Sequence, residues 1–290
     1  MIGVKKQTGT VKSFDGTEIY YEVLGEGRPI LMAYGIVCVM NHWHFQSSFF
    51  SKNYQVILVD YRGHHKSAVP KNIEDMTVAA IAKDFVAVCD HLKLESVSLF
   101  SHSFGAQVAL EFYTHYKSKI NNMVLINGFH KNPIKGMFGM DMVPTFHKIK
   151  AFYDSLPETF NFLWKSALDN PLALPFMGLT GGFNLRLTNL NDIQVYLRGV
   201  KAIPLDVFLT LFEDMMAYDA TDILSTVTCP TLIIAGNKDN VTPMAFQVEM
   251  HEKIQDSALQ IIPYGSHCSQ LDMPDFVNLK AEVFLKTHGY

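Results

Sequence analysis

The segment Ser98-Leu99-Phe100-Ser101-His102-Ser103-Phe104-Gly105-Ala106 puts a serine, a histidine and a second serine in consecutive positions at the end of an apolar run. A serine hydroxyl becomes an effective nucleophile when it is exposed, set beside a base and faced by backbone N–H groups that receive a developing oxyanion. A sharp turn from strand into helix meets the first and third needs together. Residues 96–100 read as the strand and 107–116 as the helix, so Ser103 falls at the apex of the turn. The positions two before and two after such an apex must be small, because strand and helix approach closely there. Ser101 and Gly105 satisfy this, although the usual G-x-S-x-G pattern has glycine at the first of them. Two distant residues complete a candidate relay. Asp239 comes three residues after Gly236, which ends the apolar run 231–235, and Pro243 opens the next helix. His267 lies in a loop after one more helix and strand. The chain order serine, aspartate, histidine is one in which this relay occurs.

The elements that must position these groups are legible as hydrophobic pattern. Residues 18–23 alternate, turn at Gly25-Glu26-Gly27 and lead into the apolar run 30–33, and a third run covers 54–59 and ends at Asp60. Val78, Ile81, Ala82, Phe85, Val88, Cys89 and Leu92 recur at helical spacing behind a Thr77 N-cap. Further strands are expected at 96–100, 122–126, 231–235 and 259–262. Continuous apolar strands alternating with helices define an α/β protein with a mostly parallel, doubly wound sheet covered on both faces. Its carboxyl edge is where such sheets place their sites, and Asp239 falls there. From about Gly128 to Tyr218 the strand signal disappears and Phe, Met, Leu and Pro accumulate. A stretch that long is expected to be a helical insertion rather than a loop. The expected division is a core of 1–128 and 219–290 with a helical cap of 129–218.

Composition narrows the partners. The 290 residues are 48% apolar and carry a formal net charge of −4, with basic residues scattered, which gives no nucleic-acid or lipid-headgroup surface. No apolar run reaches membrane-spanning length and no secretory leader is evident, so an unexported cytoplasmic protein without a membrane span is expected. The four cysteines are widely separated and read as free thiols, with Cys268 as packing beside the base. His42 with His44, and His64 with His65, lack a nearby carboxylate or cysteine partner in sequence, so no metal is expected.

Taken together, the ordered motifs resemble the α/β-hydrolase superfamily with an inserted helical cap, over nearly the whole chain. Gly35-Ile36 followed by Trp43 resembles that family's oxyanion loop and its tryptophan. Asp60-Tyr61-Arg62-Gly63-His64-His65-Lys66-Ser67 resembles its D-x-R-G-x-G-x-S loop, and Asp222-Ile223-Leu224 through Pro230-Thr231-Leu232 resembles the approach to its acid strand. The resemblance implies acyl transfer to water without a cofactor. Ser103 is then the nucleophile, His267 the base, Asp239 its orienting acid, and the N–H groups of Ile36 and Phe104 the oxyanion hole. Two positions depart from the pattern: Tyr34 stands where a histidine is usual, and His65 replaces a glycine. The Tyr34 hydroxyl is expected either to pack out of the site or to add a donor. Epoxide hydrolases and haloalkane dehalogenases of the superfamily use an aspartate at the elbow, which Ser103 does not replace.

The expected pocket comprises Tyr34, Gly35, His102, Phe146, Trp164 and Val241, with His102 as a wall residue. The cap residues Met137, Met140, Met142, Phe152, Phe160, Phe162, Phe176, Met177 and Phe183 are expected to add apolar lining. Such a pocket suits an uncharged ester of small to medium size. Arg186 and Arg198 in the cap offer a grip on a carboxylate, as a carbon–carbon bond hydrolase would need, or else a solvated helix face. A lactonase, perhydrolase or acyltransferase on the same triad, and a ligand receptor that kept the fold, are the competing readings. Oligomeric state is not legible.

Overall fold

The structure is a computed structural model that describes residues 5–173, 175, 178 and 180–290. Its eight strands are β1 Lys6–Lys12, β2 Glu18–Leu24, β3 Arg28–Ala33, β4 Tyr54–Val59, β5 Val97–His102, β6 Ile120–Ile126, β7 Thr231–Gly236 and β8 Ser257–Ile262. They form one sheet in the order β1-β2-β4-β3-β5-β6-β7-β8. β1 and β2 pair antiparallel, β2 pairs antiparallel with β4, and every later pair is parallel. Every residue of β5 and β7 is buried, as strands covered on both faces must be. The strand absent from the sequence reading is β1. Its residues are polar and mostly exposed, so it carries no apolar alternation to betray it.

The core helices are α1 His44–Phe50, α2 Val78–His91 and α3 Gly105–Tyr116. The inserted helices are α4 Val143–Ser155, α5 Pro157–Asp169, α6 Leu190–Ala202 and α7 Leu205–Ala217. The chain then returns to the core through α8 Met244–Lys253, α9 Ser269–Asp272 and α10 Pro274–Thr287. Thr77 caps α2 as its position predicts, its hydroxyl accepting from the Ala80 N–H at 3.1 Å. A second cap comes from the insertion: the Asp214 carboxylate of α7 accepts from the Val78 N–H at 2.7 Å. Between β6 and β7 no strand occurs among the described residues, and the insertion is helical.

Strand order reverses between β3 and β5, the only neighbours from which the chain departs in opposite directions along the parallel sheet. The crevice outside their carboxyl ends is the position at which doubly wound sheets bind ligands. The loop 34–37 leaves β3 there, and Ser103 leaves β5.

Candidate active site

Ser103 sits in the turn between β5 and α3 with a backbone φ of +56°, a left-handed conformation that a serine adopts at a cost. Its N–H donates to the Ile126 carbonyl at 3.0 Å, and its carbonyl accepts from the Ala106 N–H at 2.9 Å, so neighbours on both sides hold the strain in place. Gly105 is what lets the turn close. A Cβ there would lie 2.4 Å from the Ala33 carbonyl oxygen and 2.9 Å from that of Tyr34. Any side chain would push the start of α3 away from the end of β3, and with it the Phe104 N–H.

The three distant residues meet. The Ser103 hydroxyl lies 2.9 Å from His267 Nε2, and His267 Nδ1 lies 2.9 Å from Asp239 Oδ2. Asp239 Oδ1 accepts from the N–H groups of Val241 at 2.8 Å and Thr242 at 2.9 Å, and the Thr242 hydroxyl lies 2.5 Å from Oδ2. The carboxylate is thus fixed by its own turn before the histidine reaches it. The N–H groups of Ile36 and Phe104 have no hydrogen-bond acceptor among the described residues. Both belong to backbone beside Ser103, and Val37, next to Ile36, is itself held at a φ of +55°.

Asn127, at the end of β6, joins the acid strand to the histidine loop. Its Nδ2 donates to the carbonyls of Ser266 at 2.9 Å and His267 at 2.6 Å and to the Ser269 hydroxyl at 3.0 Å, while its Oδ1 accepts from the Gly236 N–H at 2.7 Å. The histidine loop is also tied to the insertion. The His267 N–H donates to the Gly181 carbonyl at 3.0 Å, Asn184 Nδ2 donates to the Tyr264 carbonyl at 2.8 Å, and the Asp272 carboxylate accepts from the Asn184 N–H at 3.2 Å and from the Thr188 hydroxyl.

A cavity of about 250 Å³ opens over Ser103 and is lined mostly by apolar side chains. Gly35, His102, Trp164 and Val241 line it as the sequence predicts, together with Met137 and Phe183. Two expected members do not. Tyr34 is buried beneath the site, its hydroxyl accepting from the Tyr61 N–H at 2.9 Å and donating to Asp60 at 3.3 Å, the arrangement expected of the packing alternative. Phe146 stacks on Phe212 with ring centroids 4.8 Å apart, so Phe212 faces the cavity and Phe146 backs it.

Other cap residues turn outward: Met140, Phe152 and Phe162 are exposed, and Phe160 packs on Phe152 instead of the cavity. Met142 packs within the cap, and Phe176 and Met177 lie outside the described residues. Arg186 and Arg198 are exposed and contribute nothing to the cavity, so neither can grip a substrate carboxylate there. The lining that sequence reasoning missed comes chiefly from Phe208, Phe212 and Met215 on α7 and Tyr196 on α6, with Cys38 and His42 beneath. Phe208, Phe212 and Met215 repeat at helical spacing, a pattern identical to that of an ordinary core face.

His65 fills the glycine's place without altering the turn, because it takes the left-handed φ of +49° that a glycine would. Its Nε2 lies 2.8 Å from the Cys38 carbonyl, which braces the loop carrying Ile36. His42 and His102 near Ser103 are buried, and burial drives their pKa values down: His42 to about 3, and His102 well below the usual range. Burial pushes the thiols of Cys38 and Cys268 up, which makes both poor nucleophiles.

Comparison with known proteins agrees with this architecture. A family model described as alpha/beta hydrolase fold matches residues 28–274. A non-heme haloperoxidase of Rhodococcus erythropolis is 27% identical over 286 residues, covering 96% of this chain and 99% of its own. Among solved structures, a thermophilic esterase from Thermogutta terrifontis superposes with a TM-score of 0.78 at 20% identity, covering 98% of this chain and 100% of its own. The enol-lactonase from Burkholderia xenovorans LB400 gives 0.77 at 18% identity, covering 96% and 100%. No described helix is long and apolar enough to cross a membrane. With its sheet order, its strained serine turn and a family match over most of its length, the chain belongs to the alpha/beta hydrolase fold family.

Proposed function

We propose that this protein is a serine hydrolase that cleaves small, uncharged carboxylic esters through an acyl-enzyme on Ser103, with segment 129–218 capping the pocket. The observation that carries this reading is the unbroken chain of contacts from the Ser103 hydroxyl through His267 to Asp239, each link 2.9 Å, opening into an apolar cavity. His267 Nε2 takes the hydroxyl proton as Ser103 Oγ attacks the carbonyl carbon, and Asp239 holds the ring so that Nε2 faces the serine. The oxyanion is received by the free N–H groups of Ile36 and Phe104. One such donor is typically worth about 3 kcal/mol in the transition state. The leaving alcohol departs with the proton from His267, and water repeats the sequence in reverse to release the acid and restore the hydroxyl.

Among the described residues, no lysine or arginine lines the cavity, which supports an uncharged acyl group. The cavity size of about 250 Å³ supports a short one. A second reading keeps the acyl-enzyme and changes either the bond cleaved, to a lactone, or the acceptor, to peroxide in place of water. Its support is the range of names among the relatives, which include an enol-lactonase and a haloperoxidase.

A panel of chromogenic esters and lactones of increasing acyl length, assayed with wild type and Ser103→Ala, tests both readings. Turnover of short esters that vanishes in Ser103→Ala is the expected result. Turnover that survives the substitution, or none on any acyl substrate, refutes the nucleophile. Added peroxide or alcohol that diverts the acyl group away from free acid selects the second reading.

A further inference from the structure

We propose that Cys38, His42 and His102 form a binding site for a single thiophilic metal ion in the pocket wall beside Ser103, and that filling it shuts off acyl transfer. The second half rests on the reading of Ser103 as nucleophile; the first half does not. One potential ligand atom from each residue lies within 4.8 Å of the other two, and all three residues are buried. Both ring nitrogens of His42 and Nδ1 of His102 lack any hydrogen-bond partner. Leaving a buried polar atom unpaired typically costs about 1–3 kcal/mol, a cost that a bound ion would remove at the ring nitrogens it ligates.

The atoms also point the right way. A Cβ placed on Gly35 would lie 3.1 Å from His102 Nδ1, 3.2 Å from Cys38 Sγ and 3.2 Å from Ser103 Cβ, so imidazole, thiol and nucleophile converge on one spot. The far nitrogen of His102, Nε2, lies 2.9 Å from the His267 carbonyl, which leaves Nδ1 as the free ligand atom. His42 is held in place by its ring stacking on Tyr196 at 5.1 Å. These nitrogens have almost no accessible surface, so water and substrate atoms do not reach them. An ion entering from the cavity, whose wall all three residues help to form, reaches them by exchanging its water for the three ligands.

Ligands at bond lengths of about 2.0–2.3 Å stand roughly 3.3–4.0 Å apart around a trigonal or tetrahedral ion, so from separations of at most 4.8 Å the site closes by no more than about 1.5 Å on binding. Two imidazoles and one thiolate select Zn(II), Cd(II) or Cu(I) over Mg(II) or Ca(II). The metal–sulfur bond forms as the Cys38 S–H bond breaks and its proton passes to solvent, with no change of oxidation state.

The sequence hides the site because it pairs His42 with the wrong neighbour. His44 faces Asp192 at 3.4 Å, whereas the fold brings His102 and Cys38 to His42. Closing the site pulls on both supports of the chemistry. One is the turn in which the Cys38 N–H donates to the Gly35 carbonyl at 3.1 Å and which carries Ile36. The other is the contact of His102 with the His267 backbone.

The test is a Cd(II) titration of the purified full chain, read by the cadmium–thiolate charge-transfer absorption, with circular dichroism to check folding. One equivalent is expected to give the band in wild type and equally in Ser103→Ala, so binding is scored whether or not the protein turns over any ester. Cys38→Ser should abolish the band. His42→Gln should weaken binding by roughly a hundredfold or more, since loss of a mere supporting partner already costs about 10–100-fold. Cd(II) or Zn(II) should stop ester turnover in proportion to occupancy, with recovery on adding a chelator. No band in folded wild type, a band that survives Cys38→Ser, or one lost instead in Cys268→Ser overturns the site. Full turnover by the metal-loaded protein overturns its inhibitory role.

Discussion

Asn127→Ala isolates the residue that connects the two loops of the relay. Removing the side chain deletes four hydrogen bonds, but the losses are unequal. The Ser266 carbonyl keeps the Ser269 hydroxyl at 2.7 Å and the His267 carbonyl keeps His102 Nε2 at 2.9 Å, so neither is orphaned. The Gly236 N–H is, since Asn127 Oδ1 is its acceptor. An orphaned buried donor costs about 1–3 kcal/mol and each bond lost from a group with a second partner roughly 0.5–1 kcal/mol, for a total of about 2.5–6 kcal/mol. Alanine also tolerates the φ of +46° at this position less well than asparagine, which places the effect in the upper part of that range. The histidine loop then relaxes away from Ser103, and a misplacement of about 1 Å is worth roughly a hundredfold in rate. Urea denaturation and separate kcat and KM values on the best short ester read the two effects. The expected result is a stability loss of several kcal/mol with a fall in kcat and little change in KM, because Asn127 is absent from the cavity lining. A variant within about 1 kcal/mol of wild type that retains full kcat refutes the reasoning.

Four further outcomes follow from the same geometry. Tyr34→Phe leaves kcat/KM unchanged while lowering stability by about 1–2 kcal/mol in urea, because its hydroxyl serves Asp60 and Tyr61 rather than substrate. Ser103→Gly abolishes ester turnover yet raises the urea midpoint by the equivalent of about 1 kcal/mol, as glycine takes the φ of +56° without strain. Trp164→Ala, which opens the wall shared with a neighbouring apolar hollow, moves the best acyl chain to greater length in a kcat/KM series. Burial holds His64 at a pKa of about 4 against 6.5 in the unfolded chain. Below pH 6.5 the unfolded chain therefore binds a proton that the folded chain refuses, and stability falls until pH nears the folded value. His64→Gln loses roughly 2 kcal/mol less than wild type between pH 7 and 5; equal losses refute this assignment.

What was legible in the sequence was whatever depends on local pattern. The strand at 54–59 was read to the residue, and the α2 cap at Thr77 was found from one side chain before a helical stripe. Ser103, Asp239 and His267 were found because each sits at a fixed place after a strand, and the structure brings all three together. What escaped depends on which way a side chain turns. Phe146 and Phe212 carry the same ring on neighbouring helices, and only the packing decides which faces the cavity. Asn127 escaped for another reason. Asparagine belongs to none of the motifs that mark the relay, yet its amide at the end of β6 can donate and accept at once and so joins two loops.

The bonds from residues 181–188 to the histidine loop give the helical insertion a fixed side. Lifting that side as a lid would tear the His267 N–H from Gly181 and the Thr188 hydroxyl from Asp272, freeing the loop that holds His267 against Ser103. On the other side, α4 and α5 meet solvent with exposed apolar residues, among them Phe152, Leu156 and Phe162. For protein engineering the lesson is where to cut. Transplanting a foreign lid should splice before residue 181 and keep the native strip that follows, because that strip anchors the loop carrying His267 more than it roofs the cavity.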